Sequence, residues 1–363
     1  MAEAPPILLV ANFADRVGGG EESLLTLASG IDRRRFAPHA VVPGEGAVAA
    51  ALREAGVPVA VVPLPPLRPW TLVAGIRTVR RLRALLAARG IRLAHAHSSR
   101  GALYTALAAR RRGIPLVWHV RIVDRDPLLD GPLMFFSTRV IAVSEAVRGR
   151  FGGSRFRDKV RVVYNGVNAE YWTAPAASPP SGDGPVVLVV GRLMPEKGQA
   201  TLLRAAPAVL SRVPSARFVL LGTDHGGERE RLERLAQSLG IRQAVEIRSW
   251  IADPRRAYAE ADVVAVPSRM EGFGRVLVEA GCLAKPVVAS RVGGIPEVVV
   301  DGETGLLVPH DDPKAWAEAL SRLLGDPGLR TRLGRAGRER ALSRFSARRH
   351  VEGVEAVYAE LVR

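Results

Sequence analysis

Residues 263–279 read Val263-Val-Ala-Val-Pro-Ser-Arg-Met-Glu-Gly-Phe-Gly-Arg-Val-Leu-Val-Glu279, and this stretch decides the fold. A short apolar run gives a strand, Pro267-Ser268 gives a turn, and an amphipathic helix starts near Arg275. Gly272 and Gly274 let the backbone approach a ligand closely. The N–H groups at the helix start, around 275–278, then point at an anion such as a diphosphate. Glu279, about one turn inside the helix, can accept hydrogen bonds from two vicinal hydroxyls. Glu271, in the loop, lies on the other side of the phosphate and nearer a sugar. Taken alone, the stretch also fits an ordinary loop followed by a helix with solvated glutamates.

A second segment weakens that plainer reading. Gly191-Arg-Leu-Met-Pro-Glu-Lys-Gly198 follows the apolar run 186–190 and opens another helix. Arg192 offers a planar fork of donors and Lys197 a compact charge, a pair suited to a diphosphate. Working outward, short apolar runs alternate with amphipathic stretches along the whole chain, the pattern of parallel sheets covered by helices. The expected strands are 7–11, 39–42, 59–62, 93–96, 116–119, 140–143 and 160–163 in the first half. In the second half they are 186–190, 217–221, 245–247, 263–266 and 286–289. Residues 174–185, rich in Ala, Pro, Ser and Gly, read as a linker. The fold class is therefore α/β, with two doubly wound domains, and ligands belong at the carboxyl ends of the strands.

The 363 residues are 47% apolar and 24% charged, the balance of a soluble two-domain protein. The opening Met1-Ala-Glu-Ala-Pro-Pro lacks a basic start and an apolar stretch, and no run of 18 apolar residues occurs. The single cysteine, Cys282, excludes an internal disulfide. A cytoplasmic setting is expected. The net charge of +16 is uneven: the first 175 residues hold 25 Lys+Arg against 13 Asp+Glu, the remainder 27 against 23. That asymmetry favours anionic membranes, anionic acceptors or nucleic acid as partners of the first half. The excess of Arg, 48 of 52 cations, also fits a G+C-rich genome. No nucleic-acid motif or aromatic platform accompanies the charge, so no nucleic-acid partner is expected.

Together with Gly293-Gly-Ile-Pro-Glu297 and Asp301-Gly-Glu-Thr-Gly-Leu306, the two segments resemble glycosyltransferase family 4 of the GT-B fold. The resemblance extends to Gly18-Gly-Gly-Glu21, Val143-Ser-Glu-Ala146 and Asn165-Gly-Val167, covering nearly the whole chain in the family's order. It implies two facing Rossmann-like domains with a cleft between them. These are an acceptor-binding domain over 1–173, the linker 174–185 and a donor-binding domain over 186–344. A final helix, 345–363, crosses back onto the first domain. It further implies a retaining transfer of sugar from a nucleotide-diphosphate sugar, a UDP- or GDP-sugar, to an acceptor hydroxyl in glycoconjugate synthesis. Front-face attack would let the leaving phosphate accept the acceptor's proton. Arg192 and Lys197 would bind the diphosphate, Glu279 the ribose and Glu271 the transferred sugar. Backbone groups of Phe273 and Gly274 would help Glu271, and the amides of Val276 and Leu277 would touch phosphate. Gly19 or Gly20 would meet the same phosphate from the first domain, with Gly18 and Asn165 as candidates for the acceptor or cleft side. His119, ending the strand 116–119, matches the family's active-site histidine and joins Glu271 as a candidate catalytic residue. The chain departs from the family at Gly222-Thr-Asp-His-Gly226 and Arg248-Ser249, segments that border the nucleotide base.

No metal or other cofactor is expected, because no Asp-x-Asp motif stands at a strand end and the Arg/Lys pair takes the metal's place. His95 and His97 in Ala94-His-Ala-His-Ser98 have no Cys or carboxylate beside them and read as structural or acceptor-side residues. The segment 72–89 reads as a helix with Arg77, Arg80 and Arg81 on one face and Leu72, Ile76, Val79, Leu82 and Leu86 on the other. Trp70 precedes it. Two readings remain for it: a sheet-covering helix with a solvated basic face, or a peripheral contact with the membrane's inner face beside a lipid-linked acceptor. A sugar phosphorylase or a nucleotide-sugar epimerase on the same fold is the functional alternative.

Overall fold

In a computed structural model, residues 3–16, 18–153, 155–174 and 184–362 are described. Of the linker expected over 174–185, residues 175–183 lie outside them. The chain divides into two compact units, residues up to 166 together with 347–362, and residues 167–346.

The first unit carries β1 (Pro6–Val10), β2 (Ala37–Val42), β3 (Val59–Val61), β4 (Leu93–Ala96), β5 (Leu116–Val120), β6 (Arg139–Ala142) and β7 (Val160–Val162). All pair in parallel in the order β3-β2-β1-β4-β5-β6-β7. The second carries β8 (Val186–Val190), β9 (Arg217–Leu221), β10 (Val245–Arg248), β11 (Val263–Val266), β12 (Val287–Ser290) and β13 (Leu306–Val308). Its order is β10-β9-β8-β11-β12-β13, again parallel throughout. Both are doubly wound sheets whose chain direction of progress reverses once, beside β1 and β4 in the first unit and β8 and β11 in the second. A crevice forms at that reversal, at the carboxyl ends of the strands. Strand β13 was not expected. Its three residues follow the turn Asp301-Gly-Glu-Thr-Gly305 too closely to register as a separate apolar run.

The central strands are buried on both faces, which is why they are runs of Val, Leu, Ile and Ala without alternation. In the second unit Trp316 is fully buried and its indole N–H donates to Pro309 O at 3.1 Å. In the first, the C-terminal helix Ala347–Ala359 joins the core. Val351, Val354, Val357 and Tyr358 share a cluster with Leu24 and Leu27, and Asp32 N–H donates to Glu355 Oε1 at 2.7 Å.

Two expectations need correcting. The first domain was expected to run to 173, but the short helix Ala169–Thr173 belongs to the second unit, because Trp172 packs edge-on against Tyr258 at 5.4 Å. The helix Leu72–Ala88 is also turned relative to its expected apolar face. It buries Gly75, Thr78, Leu82 and Leu86, while Leu72 and Ile76 are exposed. The cause is local. The Tyr104 ring occupies the space a Cβ on Gly75 would need, and Thr78 Oγ1 donates to Pro63 O at 2.7 Å.

Candidate active site

In the second unit the loops after β8, β11 and β12 are sewn together through glycines. Gly198 has φ +68°, and a Cβ there would stand 1.9 Å from Pro267 O. Gly293 has φ +51°, and its Cβ would stand 2.0 Å from Glu271 O. Arg269 N–H donates to Glu196 O and Gly294 N–H to Glu271 O, both at 2.9 Å. No side chain fits at either glycine, so the three loops hold one geometry.

Of the expected donor residues, that geometry brings Lys197 and Glu271 into contact. Lys197 Nζ lies 2.6 Å from Glu271 Oε2, which also accepts from Ser268 Oγ at 3.1 Å. Glu279 is buried on the helix Arg275–Cys282, where Arg275 Nε donates to Oε1 at 2.8 Å and Tyr258 OH to Oε2 at 3.0 Å. Burial, reinforced by the Glu279 charge, pushes the Tyr258 phenol well above its ordinary range, so it stays a proton donor. Arg192 is half-buried, and its guanidinium has no partner among the described residues. The Arg192 carbonyl is fixed by Gln199 Nε2 at 2.9 Å.

Gly274, at φ +88°, starts the helix with no side-chain cap. The amide of Val276 has no partner among the described residues, whereas that of Leu277 already donates to Gly274 O at 2.9 Å. The tight first turn therefore leaves only one of the two expected amides uncommitted. Phe273 is buried edge-on against Phe345 at 5.4 Å, which pins the loop's backbone rather than presenting the ring. Cys282 is buried and its thiol is pushed up to about 11, so it is inert.

In the first unit Gly18 precedes the helix Gly19–Gly30, which also begins without a side-chain cap. A Cβ on Gly20 would rest 3.4 Å from Arg121 Cδ. Asn165 is buried, with Oδ1 unpartnered among the described residues. His119 ends up with His95 and His97 in one buried cluster, with a nitrogen of each within 4.8 Å of the others. Burial first, with the Arg121 charge and the neighbouring histidines adding to it, holds all three imidazoles well below their ordinary range. Such a trio can resemble a metal site. The Arg121 guanidinium is, however, 2.9 Å from His97 Nδ1 and 3.4 Å from His119 Nδ1, a fixed positive charge inside the same cluster.

Sequence reading missed Arg121, Tyr258, Ser268 and Tyr358. Only Arg121 left a trace, two residues beyond the expected histidine.

Fold and loops define a GT-B glycosyltransferase framework. The model for glycosyl transferases group 1 matches residues 170–340 and that for glycosyltransferase family 4 matches 17–171. The chain belongs to this family of GT-B glycosyltransferases. It is 43% identical over 185 residues to a D-inositol 3-phosphate glycosyltransferase of Corynebacterium diphtheriae, covering 48% of this chain and 42% of that one. It is 41% identical over 176 residues to a GDP-mannose-dependent alpha-(1-6)-phosphatidylinositol monomannoside mannosyltransferase of Mycolicibacterium smegmatis, covering 46% of each. The chain thus spans under half the length of these curated relatives. Among solved structures, HepE of Anabaena in complex with UDP and glucose superimposes with a TM-score of 0.85 at 24% identity, covering 98% of this chain and 99% of that one. A Rickettsia africae glycosyltransferase gives a TM-score of 0.85 at 18% identity over the full length of both.

Replacing Gly293 by Ala should push the Glu271 loop out of place. The strained φ and blocked Cβ should cost about 1–3 kcal/mol of stability. Nucleoside-diphosphate affinity should fall about tenfold or more. Thermal melting and calorimetric titration check both, and unchanged values would contradict the sewn-loop account.

Proposed function

We propose that the chain transfers a sugar from a nucleotide-diphosphate sugar to an acceptor hydroxyl, with retention of anomeric configuration. The observation that carries this reading is the group at the β8/β11 reversal: an uncommitted Arg192 guanidinium, Lys197 held against Glu271, and a buried Glu279. Rupture of the C1–phosphate bond leaves negative charge on the β-phosphate, while the sugar becomes oxocarbenium-like. Once the diphosphate is bound, Arg192, Lys197 and the Val276 amide stabilise that charge. Lys197 is already neutralised by Glu271 at 2.6 Å, so an incoming diphosphate exchanges one anionic partner for another. That exchange releases the Glu271 carboxylate toward the sugar. Glu279, held by Arg275 and Tyr258, presents fixed acceptor oxygens to the ribose hydroxyls.

The acceptor oxygen then bonds to C1 on the face the phosphate leaves, and its proton passes to a β-phosphate oxygen. With two cations supplied by the chain, we read the transfer as independent of a divalent metal. In the first unit we keep Gly18 and Asn165 as candidates for the acceptor side, Gly19 or Gly20 for a phosphate contact and His119 for a catalytic role. The relatives' and neighbour's names support a UDP- or GDP-linked donor and an inositol-phosphate or lipid-linked acceptor as the class.

Arg192→Ala and Lys197→Ala should each lower turnover about 100- to 1,000-fold. The activity should persist in excess EDTA. Steady-state assays with a panel of UDP- and GDP-sugars check this. Complete loss in EDTA would sink the metal-free claim, and turnover that required inorganic phosphate would favour a phosphorylase.

A second feature supports a peripheral membrane role. No described helix is long and apolar enough to cross a membrane. At the start of the helix Leu72–Ala88, however, Trp70 is 75% exposed, Leu72 66% and Val73 61%, with Ile76 beside them. Arg68 stacks on Trp70 at 5.3 Å, and Arg77, Arg80 and Arg81 follow on exposed turns. An aromatic and aliphatic tip with basic flanks suits an anionic lipid surface. Sedimentation at low salt should show binding to phosphatidylglycerol vesicles that weakens with salt and on Trp70→Ser with Leu72→Ser. Equal binding to neutral vesicles would remove the electrostatic part of this reading.

A further inference from the structure

We infer that Arg121 is a positioning residue that locks His97 and His119 as Nε2–H tautomers, so that the cluster offers two neutral donors to a ligand oxygen and is not a metal site. The inference concerns the free protein and stands apart from the donor-site reading above.

A guanidinium has donors and no acceptor. Arg121 Nη2 lies 2.9 Å from His97 Nδ1, so that nitrogen is the acceptor and the proton of the neutral ring sits on Nε2. The same Nη2 is 3.2 Å from Ser23 Oγ. Ser23 can only accept there, because its own proton is directed to His350 Nε2 at 3.2 Å. His350 Nδ1 in turn donates to Tyr164 O at 2.9 Å. Arg121 Nη1 adds a bond to His97 O at 3.3 Å. The guanidinium is thus held on several sides and has little room to turn away.

His119 is fixed by the charge and by a relay. Its Nδ1 stands 3.4 Å from Arg121 Nη2, and a proton on that nitrogen would point at a buried cation. The lone pair there accepts instead from His95 Nε2 at 3.2 Å, facing the Arg121 charge. His95 with its proton on Nε2 has an acceptor at Nδ1, and Tyr358 OH, 2.6 Å away on the C-terminal helix, donates to it. The polarity runs one way, from Tyr358 through His95 to His119. At its end, Nε2 of His119 and Nε2 of His97 are both buried with no partner among the described residues.

Two desolvated N–H groups without acceptors cost stability unless a ligand supplies one. A metal would need a lone pair on each ring: at Nδ1 it would have to displace the Arg121 guanidinium, and at Nε2 it would force the ring protons onto Nδ1, against that charge. Burial brings the Arg121 guanidinium down only to about 10, so it stays charged at neutral pH.

The test is two-bond nitrogen–proton correlation on the full chain labelled with nitrogen-15 at histidine, with signals assigned through His97→Gln and His119→Gln. Both rings should show a single neutral Nε2–H pattern in the wild type and in Arg121→Lys, and a mixed pattern in Arg121→Gln. An Nδ1–H or imidazolium pattern for either ring in the wild type overturns the inference, as does an unmixed pattern in Arg121→Gln. If that variant fails to fold, the wild-type spectrum decides alone. One equivalent of zinc chloride should leave both signals in place, and a shift of the pair on adding zinc would restore the metal reading.

Discussion

The ion pair between Lys197 and Glu271, closed at 2.6 Å, joins the loop after β8 to the loop after β11, and the rest of the second unit is arranged to keep it. Behind it, glycines at 198 and 293 bring backbone so close that a methyl group would collide with a carbonyl oxygen. Both partners are partly screened by protein, with about a quarter of the lysine and a fifth of the glutamate side chain accessible. A pair in that setting is strong enough to fix two side chains and open enough for an anion to displace one of them. A deeply buried pair would resist displacement, because the stranded charge would have no solvent. A fully exposed one would position nothing.

The first unit meets the same requirement differently. There a buried cation, Arg121, stands among neutral rings within the field of the buried Glu21 carboxylate. Burial, with the Arg121 charge behind it, suppresses protonation of the histidines, and the guanidinium faces the Nδ1 lone pairs of His97 and His119. The C-terminal helix completes the arrangement by bringing Tyr358 and His350 to β4, β5 and the helix Gly19–Gly30. That helix therefore sets the hydrogen-bond polarity of the cluster as well as filling the core. The glycines at 18–20 start their helix without a cap, a feature shared with Gly274 in the second unit.

Much of this was legible in the sequence, because parallel strands buried on both faces are short, continuous apolar runs that stand out from their surroundings. The loops at the strand ends were legible for a similar reason. Gly293 and Gly198 are glycine through steric necessity, and Arg192, Lys197, Glu271 and Glu279 sit within one loop of a strand. What escaped was set by contacts distant in the chain. Tyr258 serves Glu279 from another helix, and Tyr358 reaches His95 across 263 residues. The face of the helix Leu72–Ala88 was misjudged because Tyr104 and Pro63, rather than helical periodicity, choose which side is buried. Strand β13 escaped by brevity, and the unit boundary by Trp172, whose partner Tyr258 lies far along the chain.

The central claim is that the β8/β11 crevice is built for the diphosphate of a nucleotide. Calorimetric titration of the full chain with UDP, GDP and their parent nucleosides tests it most directly. The account predicts that at least one diphosphate binds, that its nucleoside binds about tenfold or more weakly, and that Lys197→Ala removes most of the difference. Absence of binding by either diphosphate at millimolar concentration, or equal affinity for nucleoside and diphosphate, would contradict it.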